Sequence, residues 1–310
     1  MNLTSVNMRS TGRSAVAPLV IPPSVRRTAR TAAVGRAGRL AVEYVRQGDR
    51  TVFGRTSCET PWHLLPPIYL DDSGSAYTLL MNPSGGLVGG DHLSIDVSVG
   101  PQAHVLISTP SANRVYRSLN QDAVQDVRIE VGEGGILEWM PEHTIPFAGS
   151  RFRQCIHAKL GAGATLVLWD AIASGRIAHG ERWRFASLEN DIRIAIPSEA
   201  VVREHYVLIP AEAPAGIGMV ADWDYVGSLF VVGDAVLSTH WASLEAAMWE
   251  VLEKWRDQDL LGGVSQPSVP GVVVKLVAKS APVMTQVLMD LWAEVRSILW
   301  RRPAAILRKY

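Results

Sequence analysis

Three acids stand in apolar surroundings, where an ionised carboxylate is costly unless it is hydrated, hydrogen-bonded or paired with a cation. Asp91 directly follows Asn82-Pro83-Ser84-Gly85-Gly86-Leu87-Val88-Gly89-Gly90. Asp170 closes an apolar run beside Trp169, and Glu204 falls between Val202 and Tyr206 on one face of a strand-like segment, residues 200–208. Glu181 and His143 are weaker members of the set. A pair such as Asp91 and Asp170, about 5 to 9 Å apart in an open groove, would perform acid/base work on a glycosidic bond. Each acid also has a structural use: Asp91 as an Asx cap of its turn, Asp170 paired with Arg176, Glu204 paired with Arg203 or another base.

The glycines ahead of Asp91 decide how that acid is presented. Gly85-Gly86 and Gly89-Gly90 flank a Leu-Val step, so the spacing predicts two sharp turns with positive φ or close backbone approach. A phosphate loop is excluded by chemistry. There is no Gly-Lys-Ser/Thr, and the segment runs into a strand instead of the helix N-terminus that would hold an anion.

The elements that must position these groups are mostly strands. Residues 94–99, 126–131 and 191–196 alternate apolar and polar side chains, as half-buried strands do. Three segments beginning at Val99, Val131 and Leu160 share one template, a Gly turn followed by a strand. Stacked, they superpose Val105 on Leu137 and Leu166, and Ile107 on Trp139 and Leu168, at spacings of 32 and 29 residues. That period predicts a solenoid of β coils, with a meander of hairpins as the competing arrangement. The C-terminal third shifts to a helical period. Leu244, Met248, Val251, Leu252 and Trp255 share one face, with Ser243 as N-cap and Gly262-Gly263 as the stop. Residues 271–278 read as a buried strand. A second helix starts at Ser280, ahead of Pro282, and stops before Pro303. The predicted fold is mainly β: a right-handed β-helix or solenoid-like body over 39–238, a small α+β cap of about two helices over 239–310 packed into the same domain, and a disordered basic arm over 1–38. Trp249, Trp255, Trp292 and Trp300 fall within the helices as core aromatics, part of whose stripe could dock a partner.

Bulk properties narrow the function classes. Formal net charge is zero, but residues 1–42 carry seven Arg and no acid, leaving 23 basic against 30 acidic residues in the rest. A mildly acidic body is a poor nucleic-acid platform. Two cysteines, Cys58 and Cys155, are too few and too far apart for a zinc knuckle or a disulfide framework. No window reaches the roughly 18 apolar residues of a membrane span, and Ala15–Ile21 makes a poor signal core because Pro18 and Pro22-Pro23 interrupt it. A cytoplasmic setting is the expectation.

Residues 83–91, read as Pro-x-Gly-Gly-hydrophobic-hydrophobic-Gly-Gly-Asp before an alternating strand, resemble the UreD (UreH) family of urease accessory proteins. Similar matches follow in order: residues 109–118 (Thr-Pro-Ser-Ala-Asn-Arg-Val-Tyr-Arg-Ser), Leu137-Glu138-Trp139-Met140-Pro141, Thr144-Ile145-Pro146-Phe147, Trp169-Asp170, Gly175-Arg176, Gly180-Glu181 and Leu299-Trp300. The likeness spans about residues 40 to 310. It departs at Glu142-His143, where the family usually has Gln-Glu or Gln-Asp, and at Ala76-Tyr77, where Cys-His is frequent. The resemblance implies a β-helical scaffold without a reaction of its own and without a tightly bound cofactor. It implies partners in the urease structural subunits, UreF and the GTPase UreG, and transient Ni²⁺ on its way to apo-urease through the interior. By position, Asp91, Asp170 and Glu204 then match acids along that passage, with Glu181 and His143 as lesser candidates. Abundant acid and imidazole with scarce thiol suits release of the ion better than trapping it. The competing reading is a β-solenoid carbohydrate-active enzyme using paired acids.

Overall fold

Period-two burial builds the first sheet of the computed structural model, which describes residues 35–212, 222–234, 236, 238–256 and 258–307. In β5 (His92–Val99) and β11 (Arg151–Leu160) every second side chain is buried. β8 (Ala123–Val131) and β13 (Ser187–Ala195) follow the same inward parity. Leu40 of β1 (Ala37–Gln47), Ile95, Val127, Ile156 and Ile192 occupy one row across five parallel strands. A slip of one residue would turn the whole row to solvent, so burial fixes the register. β2 (Arg50–Cys58) and β14 (Val201–Leu208) complete a seven-stranded sheet in the order β14-β13-β11-β8-β5-β1-β2.

The second sheet carries the repeat read in the sequence. β4 (Ala76–Met81), β6 (His104–Ser108), β9 (Ile136–Met140) and β12 (Thr165–Ala173) run parallel. Val105, Leu137 and Leu166 form one row; Ile107, Trp139 and Leu168 form the next inward row. Successive coils therefore stack in parallel, which a hairpin meander cannot do. The chain is a β-solenoid of about four turns. β7 (Asn113–Val115) and β10 (Thr144–Pro146) add a short third side. β3 (His63–Leu64) borders β4, and β15 (Tyr225–Gly233), β17 (Gly271–Ala278) and β16 (Leu260–Ser265) extend the other edge antiparallel from β12.

Two cores result. One fills the space between the sheets; the other lies between the outer face of the second sheet and helices α1 (Ser238–Trp255) and α2 (Ala281–Trp300). β12 is buried at all nine positions because it faces both. The Ser280 side chain accepts the Val283 N–H and Pro282 lies in the first turn, so α2 begins as its sequence specifies. α1 departs from expectation at both ends. It starts at Ser238, because Trp241 extends the buried stripe, and Ser243 lies within the helix with Oγ donating to the Thr239 carbonyl. Gly262 and Gly263 lie in β16 after the helix has ended; a Cβ on Gly262 would come within 3.1 Å of Leu252, so glycine serves strand-to-helix packing there. The proposed basic arm falls largely outside the described residues, although β1 already begins at Ala37. Among the described residues no helix is long and apolar enough to cross a membrane.

Candidate functional site

The apolar filling between the sheets is interrupted by one polar seam. Inward parity on the first sheet brings Gln125, Gln154, Asn190 and Tyr206 to the same register position on β8, β11, β13 and β14. Neighbouring strands are about 4.8 Å apart, so amides at one position can hydrogen-bond in a ladder. Gln125 Nε2 donates to Gln154 Oε1 at 3.3 Å, and Gln154 Nε2 donates to Asn190 Oδ1 at 3.1 Å. Asn190 Nδ2 reaches the Tyr206 hydroxyl at 3.1 Å.

Asp170 faces this ladder from β12. Its Oδ1 accepts from Gln154 Nε2 at 3.0 Å and its Oδ2 from Asn190 Nδ2 at 2.8 Å. Burial pushes the Asp170 carboxyl above its ordinary range; the two amide bonds and the nearby Lys275 oppose that rise. The same burial, with the Asp170 charge beside it, holds the Tyr206 phenol neutral. Asp170 also lines a cavity of about 220 Å³. That cavity is walled by Trp62, Leu80, Ile95 and Trp139 and reaches the exposed Pro83, Gly85, Ser111 and Arg114. Asn113, Gln125, Glu142 and Gln154 line it as well. The arrangement offers carboxylate and amide oxygens to a hard or borderline cation and no thiolate.

At the other end of the seam Glu204 projects inward from β14. It accepts from Ser228 Oγ at 3.0 Å and is ion-paired with Lys275. Lys275 Nζ donates to Ser228 Oγ at 2.9 Å, and burial lowers its pKa to about 8, the Asp170 charge opposing the fall. Glu204 thus has a basic partner, contributed by β17 and not by the adjacent Arg203, whose guanidinium pairs with Asp191 on the outer face.

The remaining candidates lie elsewhere. Asp91 does not line the cavity: its two oxygens accept the Arg36 N–H at 2.8 Å and the Val88 N–H at 2.9 Å. The acid pair required for glycoside chemistry, Asp91 with Asp170, is not brought together. Asp91→Ala should cost about 1–3 kcal/mol by orphaning two backbone donors, read as the shift in a urea midpoint; a change within error would show that neither bond matters. The glycines shape the same turn. Gly85, Gly86 and Gly90 have positive φ, and a Cβ on Gly86 would lie 2.3 Å from the Arg114 carbonyl oxygen. At Gly89 the Gln121 carbonyl would be 2.7 Å away.

Glu181 takes the partner expected for Asp170. Arg176 binds it through Nε at 2.8 Å and through Nη2, and the Ala148 N–H donates to it at 3.2 Å. These bonds, the Arg176 ones foremost, pull the carboxyl down from 4.5 to about 2. A depressed acid contributes stability that is complete above its unfolded value and lost as pH falls through its folded value. The melting-temperature gap between the parent and Glu181→Gln should therefore be constant above 4.5 and shrink as pH falls toward 2; a gap independent of pH in that window would contradict the ion pair.

His143 packs edge-on to Tyr225 and lies 3.6 Å from Glu142, outside the cavity lining, whereas Glu142 is in it. Among the tryptophans, Trp249 is 39% exposed and Trp255 donates to Asp290 at 2.9 Å. Trp300 is half-buried against the His104 ring at 5.2 Å. Trp292 is fully buried with Nε1 donating to Glu138, so it is a core residue and no part of a docking face. Among the described residues no three His, Cys, Asp or Glu side chains converge on one metal position.

Sequence reading missed the amide ladder, Ser228 and Lys275. A signal existed. Gln125, Gln154 and Asn190 each stand two residues before an inward aliphatic, Val127, Ile156 and Ile192, so parity alone places them inside. The strands were read from Asp126 and Asp191, one residue too late to include two of them.

The family described as UreD urease accessory protein matches residues 36–309. The chain is 31% identical over 265 residues to a protein of Cupriavidus necator named urease accessory protein UreD, covering 83% of this chain and 88% of that one. A Deinococcus radiodurans protein of the same name is 37% identical over 202 residues, covering 64% and 72%. One from Anaeromyxobacter sp. is 30% identical over 270 residues, covering 87% and 89%. The match takes in every strand of the solenoid and both helices, and the chain therefore belongs to the UreD family of urease accessory proteins.

Proposed function

We propose that this chain is a non-catalytic scaffold of the cytoplasm that joins UreF and, through it, UreG on apo-urease and passes Ni²⁺ along its interior toward the urease site. The observation that carries the reading is Asp170: a buried carboxylate in the lining of an interior cavity, backed by the Gln154 and Asn190 amides and set in one row with Ser228, which binds Glu204. A cation entering past Glu142 would meet oxygen ligands at each step and no thiolate sink, so it could be held and released. Glu142 and Asp170, both in the cavity lining, are the first two acids on this route, and Glu204 is the last. Asp91 and Glu181 support it by fixing the loops that frame the interior.

Co-expression of the urease subunits and the other accessory proteins, with and without this chain, tests the reading through the nickel content of the purified urease. Nickel loading is expected to require the chain; equal loading in both preparations would remove the assignment.

A further inference from the structure

The far end of the seam holds a cation of its own. Asp170 and Ser228 are register partners on β12 and β15, and Ser228 and Lys275 are partners on β15 and β17. Partners on adjacent strands share a face with Cβ atoms roughly 5 Å apart, so Asp170, Ser228 and Lys275 form one row. Glu204 approaches that row from the opposite sheet and shares Ser228 with Lys275. The Lys275 side chain is half exposed, yet its ammonium turns inward, lies 4.9 Å from the centre of the Phe230 ring and contacts the Glu204 carboxylate. A flexible stem in solvent with its charge held by Glu204 and Ser228, in one row with Asp170, is a group that can leave without unfolding a strand.

We propose that Lys275 is a displaceable counter-cation: its ammonium occupies the cation position between Asp170 and Glu204, and a divalent ion moving along the seam exchanges with it as the side chain swings outward. The proposal rests on the passage described above. Charge sets the sign of the effect. Asp170 and Glu204 together carry two negative charges, and Lys275 returns one positive charge, so the arriving ion competes with a resident cation for the same oxygens. That competition weakens binding and hastens release, which keeps the seam from becoming a sink. Lysine suits the task better than arginine, since it is a compact point charge on a mobile stem and forms no rigid bidentate fork with a carboxylate.

Equilibrium dialysis of the full chain against Ni²⁺, with release followed by transfer to a chelator, provides the test. Lys275→Gln should bind Ni²⁺ roughly tenfold or more tightly and release it correspondingly slowly, because a competing charge a few ångströms away has gone. Co-expressed urease should then contain less nickel, although the variant holds more. Lys275→Arg, which keeps the charge, should bind within a few-fold of the parent. Weaker or unchanged Ni²⁺ binding by Lys275→Gln, with Asp170→Asn weakened, would overturn the counter-cation and leave the passage standing. Parent-like binding and urease loading in both variants would sink the passage and the counter-cation together. Should the Gln variant fail to fold, Lys275→Met removes the same charge with an apolar stem and is read in the same way.

Discussion

Replacing Asp170 by Asn should leave the chain folded and its complex assembled, and should lower the nickel content of co-expressed urease by roughly tenfold or more. The size follows from removing a charge-assisted oxygen ligand, worth more than about 1.4 kcal/mol, from the buried lining of the cavity. Stability should change little. The burial that raises the Asp170 carboxyl also means that neutralising it relieves a desolvation cost. Against that gain stands one frustrated contact, since the Gln154 and Asn190 amides donate to different Asp170 oxygens and Asn would turn a donating NH2 toward one of them. Metal analysis of urease purified with the parent or the variant decides the matter, with co-purification of the partners as the control for assembly. Full loading by Asp170→Asn would show that the seam's central carboxylate is structural only. Loss of the complex would place Asp170 in folding and not in transport.

The second large effect concerns stability and lies on the other side of β9. Glu138 is fully buried on the helix-facing side of the second sheet. Its Oε1 accepts from Arg296 Nη1 at 3.1 Å and contacts His104 Nε2 at 2.7 Å, while Oε2 accepts from the Trp292 indole. Arg296, 1% exposed, also reaches Asp71 at 2.8 Å and the Pro303 carbonyl at 2.9 Å. Arg302 Nη1 lies 3.3 Å from His104 Nδ1. A guanidinium only donates, so that contact makes Nδ1 the acceptor and leaves Nε2 to donate to Glu138. The network ties α2 and the segment after it to the solenoid. Glu138→Ala would strand a buried indole N–H and an imidazole N–H and leave the Arg296 guanidinium with Asp71 as its carboxylate, at a cost of about 3–5 kcal/mol. The corresponding fall in melting temperature is about 5–8 °C for a chain of this size, measurable by calorimetry. A variant melting within about 2 °C of the parent would mean that water replaces the carboxylate and the network does not hold the helix.

Sequence alone determined the local grammar. Alternation marked the strands of the first sheet, and the repeat at 32 and 29 residues pointed to stacked coils, each burying its apolar face on the one before it, which the parallel pairing of the second sheet then decided against a hairpin meander. The Ser280-x-Pro282 start and the apolar stripe fixed α2. The Gly-Gly-Leu-Val-Gly-Gly-Asp segment pointed to the family. Partnership was another matter. Asp91, Asp170 and Glu204 look alike in sequence, as acids in apolar strand or turn contexts, with Glu181 a weaker member of the set. Only the tertiary structure turned Asp91 onto two backbone N–H groups, gave Glu181 to Arg176, set Lys275 against Glu204 and left Asp170 facing the cavity. The same holds for Glu138 and Arg296, 158 residues apart and joined only when α2 docks on β9. The reason is physical: a side chain's parity along its strand is a local property, but the group that meets it across a packed interior comes from a distant segment. The charge and hydrogen-bonding of that distant group set what the carboxylate can do.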